Sequence, residues 1–262
     1  MNEPDSAARR IPFGSIRFAV DWHMATVAEI HDETSTARSL RLKIADWPGQ
    51  LAGQHVDIRV TAADGYQASR EYSIASGAST DPDALVEVSI EELADGELSP
   101  YLVRGAEVGD QLEVRGPVGG YFVWRDDQTE PVQLIAGGSG VVPLMSMLRT
   151  HAAAGHPTPM RLLYSVRAPQ FVFYMDELMT LAENSNDAVM LDYAYTREAP
   201  NGWARSVGRL TREEVIALTL PPSANPTTYI CGPNSFVENI AMWMVDLGHP
   251  AERVRTERFG GA

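Results

Sequence analysis

The sequence is poor in cysteine, and this shortage limits the chemistry that the chain can carry. Cys231 is the single cysteine in 262 residues. One cysteine cannot form an internal disulfide, a cysteine-rich zinc site or a cysteine-ligated iron–sulfur cluster. The six histidines show no metal-ligand spacing, so we expect no metal site. Low cysteine usage is also typical of a reducing, cytoplasmic compartment.

Signals for membranes and nucleic acids are missing as well. Arg9-Arg10 is not followed by the apolar run of a secretory or twin-arginine signal. No stretch approaches the roughly 18 apolar residues of a membrane helix. The formal net charge of −14 argues against binding to nucleic acids or anionic membranes. We expect no membrane insertion, a cytoplasmic location and a flexible tail over residues 1–14.

The first half of the chain is rich in short β-type segments. Turn residues separate these segments, and this pattern predicts an antiparallel β-barrel or sandwich. A short helix is expected over Ser99–Val103. The predicted strands are Ala25–Ile30, Arg38–Ile44, His55–Val60, Arg70–Ala75, Leu85–Ile90 and Gln111–Arg115.

From Val132 onward, apolar strands alternate with helical patterns, which predicts a parallel α/β sheet covered by helices. We therefore expect a β-barrel domain over residues 15–125, a polar linker over 126–131 and an α/β domain over 132–262. The predicted strands are Val132–Ala136, Arg161–Ser165, Val189–Tyr195, Thr228–Cys231 and Val254–Glu257. The predicted helices are Val142–Ala153, Tyr174–Leu181, Arg212–Leu218 and Ser235–Leu247.

The sharpest motif is a glycine-rich turn between a strand and a helix, Gly137-Gly138-Ser139-Gly140 with Pro143 in the first helical turn. Glycines let the backbone approach a pyrophosphate closely, and a helix N-terminus favours its negative charge. The spacing G-x-G-x-x-P departs from the usual dinucleotide fingerprint. An ordinary strand-to-helix turn is the alternative.

Three further motifs are compatible with binding chemistry. Arg70-Glu71-Tyr72-Ser73, at the predicted start of a strand, offers a guanidinium for phosphate, an aromatic ring and a hydroxyl donor. The glycine-rich segment 115–122 forms either a phosphate loop or an ordinary turn. Cys231-Gly232-Pro233 ends a predicted strand, where α/β sheets bind ligands. A buried structural cysteine is the commoner alternative.

Taken in order, these motifs resemble those of the ferredoxin–NADP reductase superfamily, from about Trp22 to the C-terminus. Residues 70–73 resemble its R-x-Y-S flavin motif, and residues 137–143 resemble its nicotinamide-nucleotide loop. Residues 231–233 resemble its C-G-P motif. Glu257-Arg258-Phe259 resembles the E-x-F ending of bacterial oxygenase reductases.

For the barrel, the resemblance implies a bound FAD. Arg70 would contact the flavin phosphates, Tyr72 would pack against the isoalloxazine, and Ser73 would lie near its reactive nitrogen. A second segment resembles the loop that holds the FAD pyrophosphate, which favours FAD over FMN. Its expected cofactor-binding residues are Gly96, Leu98 and Ser99, and Gly119 is expected to contribute from the neighbouring loop.

For the α/β domain, the resemblance implies a site for NADPH or NADH. Cys231 and Glu257 would flank the nicotinamide and form the catalytic group with Ser73. Phe259 would stack near the flavin or anchor the domain seam. The remaining expected nucleotide contacts are Gly138, Ser139, Gly140, Pro143, Gly232 and Pro233, with Ser165, Arg167, Thr196 and Arg197 at the adenosine end. The two arginines favour NADPH without excluding NADH.

The implied function is a stand-alone reductase without an iron–sulfur domain. It would take hydride from NAD(P)H onto FAD and pass electrons to a separate ferredoxin, oxygenase or other redox protein. The alternatives are a non-catalytic electron-transfer subunit and a free-flavin or ferric-siderophore reductase. The acidic residues Glu91, Glu92, Asp95 and Glu97 are interpreted as a solvated face.

Overall fold

A computed structural model describes residues 21–62 and 64–259. The expected tail over residues 1–14 and the last three residues lie outside this range. The described residues form a six-stranded antiparallel sheet followed by a five-stranded parallel sheet, which confirms the predicted fold class. Within the described residues, no helix is long and apolar enough to cross a membrane.

The six-stranded sheet curls into a barrel. Its strands are β1 (Trp22–Thr34), β2 (Ala37–Ile44), β3 (His55–Thr61), β4 (Gln67–Ser73), β5 (Val86–Glu91) and β6 (Gln111–Val118), in the order β4-β3-β6-β1-β2-β5. A bridge between Ile74 and Val88 joins the two edges. Alternate residues such as Leu40, Leu42 and Ile58 are fully buried, so the period of two supplies the barrel core.

Two local predictions in the barrel were wrong in their boundaries. The strand was expected to begin at Arg70, but β4 runs from Gln67 to Ser73. Its pairing with β3 extends from Ser73, opposite His55, back to Gln67, opposite Thr61. The motif over residues 70–73 therefore forms the end of a strand. The short helix covers Tyr101–Gly105 and ends in a wide turn, in which Ala106 N–H bonds to the Tyr101 carbonyl.

The parallel sheet consists of β7 (Val132–Gly137), β8 (Met160–Val166), β9 (Val189–Tyr195), β10 (Thr227–Pro233) and β11 (Val254–Phe259), in the order β11-β10-β7-β8-β9. Its helices are α1 (Val141–Ala153), α2 (Met175–Glu183), α3 (Arg212–Leu218) and α4 (Asn234–Asp246). The chain runs outward in opposite directions from β7 and β10. Ligands of such sheets bind beyond the carboxyl ends of the strands at this switch point.

A continuous apolar core joins the barrel to the parallel sheet. Ala52, Phe122 and Trp124 from the barrel side pack in one buried cluster with Leu144 and Met147 of α1. Trp124 is fully buried, and its backbone N–H donates to the Ala52 carbonyl. Because the apolar contact crosses the boundary, the two units are held in a fixed orientation.

Arg149 of α1 ties the two units together with polar contacts. One guanidinium nitrogen donates to the Ala75 carbonyl at 3.0 Å and to Glu87 of β5 at 2.7 Å. The other two nitrogens donate to Glu177 of α2, each at 2.7 Å. The Arg149 side chain is 19% exposed, so solvent only partly replaces these bonds. Tyr174 adds a second link, because its N–H donates to Glu33 of β1.

Replacing Arg149 should therefore destabilise the whole fold. We expect Arg149→Ala to lower the free energy of unfolding by about 2–3 kcal/mol, because it leaves two carboxylates at the seam without their shared cation. Urea denaturation would measure the loss. Arg104→Ala is the matched control, since it removes an exposed ion pair with Glu92 and should change stability little. Equal effects of the two variants would contradict this role of Arg149.

Candidate functional site

A cleft of about 760 Å³ lies between the barrel and the parallel sheet. β4 and the loop after β5 form one wall, and the start of α1 and the end of β11 form the other. The volume is in the range of small-molecule and cofactor sites. The cleft collects nine of the predicted site residues: Arg70, Tyr72, Ser73, Gly96, Leu98, Ser99, Ser139, Glu257 and Phe259.

The two walls meet where Ser73 faces Glu257. The Ser73 hydroxyl, at the end of β4, donates to a Glu257 carboxylate oxygen at 3.2 Å. Burial raises the pKa of Glu257 to about 7, and the nearby Glu71 contributes in the same direction, while the bond from Ser73 opposes the shift. Glu257 can therefore gain or lose a proton near neutral pH.

Cys231 lies directly behind this contact. It pairs with Glu257 in the parallel register of β10 and β11, and it is 1% exposed. Burial, followed by the charge of Glu257, raises the pKa of the Cys231 thiol well above its ordinary value. The thiol is therefore protonated at neutral pH and is not a thiolate nucleophile, and Cys231 is not among the residues that line the cleft.

The glycine-rich turn brings α1 close to the end of β10. A Cβ on Gly140 would lie 2.2 Å from the Cys231 carbonyl oxygen, and one on Gly232 would lie 3.2 Å from the Gly137 Cα. Gly138 has a φ of +56°. Ser139 then reaches the cleft, whereas Gly138, Gly140, Pro143 and Gly232 do not line it. Pro233 lies beside Gly232 at the carboxyl end of β10.

The expected phosphate side of the barrel holds a carboxylate. The Arg70 guanidinium forms an ion pair with Glu97 and donates to the Ser69 carbonyl at 2.7 Å. The Tyr66 hydroxyl also donates to Glu97, at 2.9 Å. Ser99 is 7% exposed, and its hydroxyl oxygen accepts the Leu93 N–H at 3.0 Å.

Other predicted residues lie around the cleft without lining it. The Gly119 carbonyl accepts a bond from the Gln54 amide at 2.8 Å, and the Gly119 backbone packs beside the His55 ring, which does line the cleft. Ser165 is 6% exposed at the end of β8. The Thr196 N–H bonds to the Val166 carbonyl at 2.9 Å. These contacts set loop shape at the sites expected for phosphate and adenosine.

The two arginines of the expected adenosine end have different surroundings. Arg167 forms a 2.5 Å ion pair with Glu91 at the end of β5, and its guanidinium lies 5.0 Å from the Phe171 ring centroid. The Arg197 side chain is exposed, and its backbone N–H bonds to the Arg167 carbonyl at 2.9 Å. Arg197 is thus directed to solvent, while Arg167 is held across the domain seam.

Asp95 and Glu97 of the acidic segment are exposed, as expected for a solvated face, whereas Glu91 and Glu92 are only partly exposed. Glu91 pairs with Arg167, Glu92 with Arg104, and Glu97 with Arg70. Glu91 and Glu97 line the cleft. Sequence reasoning missed them because their partners are 76 and 27 residues away along the chain. One feature of the sequence could have indicated these pairs: the acidic residues overlap the segment 96–99 that was expected to bind phosphate.

Comparison with known proteins identifies the two halves of the chain. The chain matches the oxidoreductase FAD-binding domain over residues 24–123 and the oxidoreductase NAD-binding domain over residues 134–241. It is 30% identical to the reductase component of propane 2-monooxygenase from Mycolicibacterium smegmatis, over 89% of this chain and 66% of that protein. It is also 30% identical to the ferredoxin reductase component of 3-ketosteroid-9-alpha-monooxygenase from Mycobacterium tuberculosis, over 89% of this chain and 64% of that protein.

Solved structures share the fold. The Amycolatopsis cytochrome P450 reductase is 26% identical, with a TM-score of 0.78 over 91% of this chain and 70% of that chain. The FAD/NAD-binding domain of a nitric oxide dioxygenase from Vibrio cholerae, at 24% identity, has a TM-score of 0.77 over 92% of this chain and all of that domain. The chain belongs to the ferredoxin–NADP reductase superfamily, with an FAD-binding barrel before an NAD-binding α/β domain. It spans about two thirds or less of the length of the curated relatives named above.

The raised pKa of Glu257 predicts a pH-dependent stability. Between pH 4.5 and about 7, the folded protein keeps a proton that the unfolded chain releases. The free energy of unfolding of the wild type should therefore fall by about 2–3 kcal/mol relative to Glu257→Gln as the pH rises through this window. Urea denaturation at several pH values would measure it. The exposed variant Glu252→Gln should follow the wild type, and a pH-independent difference for Glu257→Gln would refute the shift.

Proposed function

We propose that the chain is an FAD-dependent NAD(P)H oxidoreductase that passes electrons to a separate acceptor protein. The observation that carries this function is the junction of the two domains in one cleft. The end of β4, with its flavin-type motif, meets strand β11 of the nucleotide-binding sheet through the contact between Ser73 and Glu257, and Ser139, beside the switch point, lines the same cleft. A hydride donor and a hydride acceptor bound on the two sides would meet there.

The residues of the cleft fit a flavin. Arg70 is a suitable phosphate ligand because its guanidinium can form paired hydrogen bonds. Tyr72 is mostly buried and lines the cleft, and burial raises its pKa beyond its ordinary value, so its ring stays neutral for packing. Gly96 must lack a side chain, since a Cβ there would lie 2.6 Å from the Ser99 oxygen. A bound flavin would supply the hydride-accepting and electron-releasing chemistry.

The chain's own residues contribute orientation and proton control. Ser139 and the amino end of α1 would receive the dinucleotide phosphates. Cys231 and Glu257 would form one side of the nicotinamide pocket, and burial keeps water away from it. The Ser73 hydroxyl would lie nearest the flavin ring, and it would become a hydrogen-bond donor to that ring when it releases Glu257 or when Glu257 is protonated and donates to it. Phe259 is 37% exposed and would cover the open side of the cleft.

The chemistry of the acceptor is inferred from the relatives, which include reductase components of oxygenase systems. We propose a ferredoxin, an oxygenase or another redox protein in this role. The chain's charge of −14 disfavours broad attraction to a strongly acidic partner. A cytoplasmic location is supported by the single cysteine, which is free and buried. The boundaries proposed for the domains, 15–125 and 132–262, enclose both matched regions of sequence.

An anaerobic titration of the FAD-loaded protein with NADPH, and separately with NADH, tests this function. We expect either nucleotide to bleach the visible flavin absorbance, and an added one-electron acceptor to restore it. A flavin-containing protein that neither nucleotide bleaches would support a non-catalytic electron-transfer subunit instead. A protein that binds neither FAD nor FMN would overturn the proposal.

Cys231→Ala should slow flavin reduction while leaving the flavin bound. Cys231 is buried and pairs with Glu257 across β10 and β11, so loss of its thiol should loosen the nicotinamide pocket and lower the hydride-transfer rate by about tenfold or more. Stopped-flow reduction at saturating nucleotide would measure the rate, and flavin absorbance after gel filtration would measure retention. Wild-type kinetics in this variant would remove Cys231 from the site.

The arginines at the expected adenosine end lead to a separate prediction about the preference for NADPH over NADH. If Arg167 and Arg197 bind a 2′-phosphate, the double variant Arg167→Ala/Arg197→Ala should lower the ratio of kcat/KM for NADPH to that for NADH by about tenfold. Steady-state kinetics with both donors would give the ratio. Arg212→Ala, an exposed arginine of the same domain, serves as control. A ratio equal to that of the wild type would exclude the two arginines from donor selection.

A further inference from the structure

The phosphate side of the flavin site contains a contact that the proposed function does not require. Glu97 lies within the loop expected to hold the FAD pyrophosphate, and its carboxylate lines the cleft. It is bound by Arg70, the expected phosphate ligand, and by the Tyr66 hydroxyl at 2.9 Å. A negatively charged group thus already occupies Arg70, the donor that a phosphate would use.

The charge on Glu97 is stable at neutral pH. The hydrogen bond from Tyr66, followed by the charge and hydrogen bond of Arg70, lowers the pKa of this carboxyl below its ordinary value. The side chains of Arg70 and Glu97 are 53% and 48% exposed. An ion pair this exposed exchanges easily with solvent and with other anions. The pair is therefore open to competition rather than locked in place.

We propose that Glu97, held in place by Tyr66, acts as an internal phosphate mimic, which competes with the flavin phosphates for Arg70 and makes the flavin nucleotide exchangeable. This inference rests on the proposed function, since it assumes that the cleft binds a flavin. It extends that function by proposing that the flavin nucleotide binds reversibly. Two effects oppose the binding of a flavin phosphate. The ion pair between Arg70 and Glu97 must break, and the Glu97 carboxylate repels the phosphates.

The chemistry of the competition makes a selective prediction. A phosphate-bearing flavin must displace Glu97 from Arg70, whereas riboflavin has the same ring system and no phosphate. Glu97 should therefore weaken the binding of FAD and FMN and leave riboflavin binding unchanged. A residue that merely supports the loop would affect all three ligands alike.

The test measures flavin binding directly, by quenching of flavin fluorescence on addition of the full-length apoprotein. We expect Glu97→Gln to tighten FAD binding by about tenfold, because it removes the negative charge that would compete with the phosphates for Arg70. The dissociation constant of riboflavin should stay the same. Glu97→Ala, which removes the carboxylate entirely, should act in the same direction and guards against an effect of the glutamine side chain.

Glu92→Gln is the matched control. Glu92 belongs to the same acidic segment and pairs with Arg104, but it does not line the cleft, so FAD binding should match the wild type. Weaker FAD binding in both Glu97 variants would show instead that Glu97 positions Arg70, and equal tightening for riboflavin would exclude phosphate mimicry. If the wild type is bleached by NAD(P)H but neither Glu97 variant binds FAD more tightly, the inference fails and the proposed function stands.

Discussion

The contact between Ser73 and Glu257 depends on the fixed seam between the barrel and the parallel sheet. The two residues are 184 positions apart in the chain, and each lies at the end of a strand. Their 3.2 Å approach exists because Trp124 and its neighbours pack in the same core as α1. Arg149 adds a charged tie to both units. A small rotation at this seam would separate the two walls of the cleft.

Electrostatics divide the cleft into two regions. At the outer edge, Arg70 is paired with Glu97 of the segment after β5, and Arg167 is paired with Glu91 at the end of β5. A phosphate that approached either arginine would therefore have to exchange with a carboxylate rather than fill a strongly positive pocket. Such a site would bind a phosphate more weakly and release it more readily than a site with unpaired arginines.

Local pattern predicted the order of the elements and nearly all of their positions, because hydrophobic periodicity reflects which face of each element is buried. It also singled out residues 70–73, 137–143 and 231–233 as binding motifs, although it placed residues 70–73 at the start of a strand and not at its end. It missed the pairing of Glu97 with Arg70 and of Arg149 with Glu87. These pairs join segments that only the tertiary fold brings together. The start of β4 was misplaced for a related reason, since Gln67, Ala68 and Ser69 gain their strand conformation from pairing with β3. The roles of the cleft residues toward FAD and NAD(P)H stay predictions.

The inner end of the cleft has a different character from its edge. Cys231 is buried, and its thiol is protonated at neutral pH. Glu257, with a pKa of about 7, is protonated in part of the population. Both groups owe their shifts mainly to burial, so the same exclusion of water that protects a hydride in transfer also suppresses charge on the wall beside it. An anionic wall would attract the positive charge of an oxidised nicotinamide and hold the product. A wall whose negative charge is partly suppressed near pH 7 would leave more of the binding to the phosphate contacts at the outer edge.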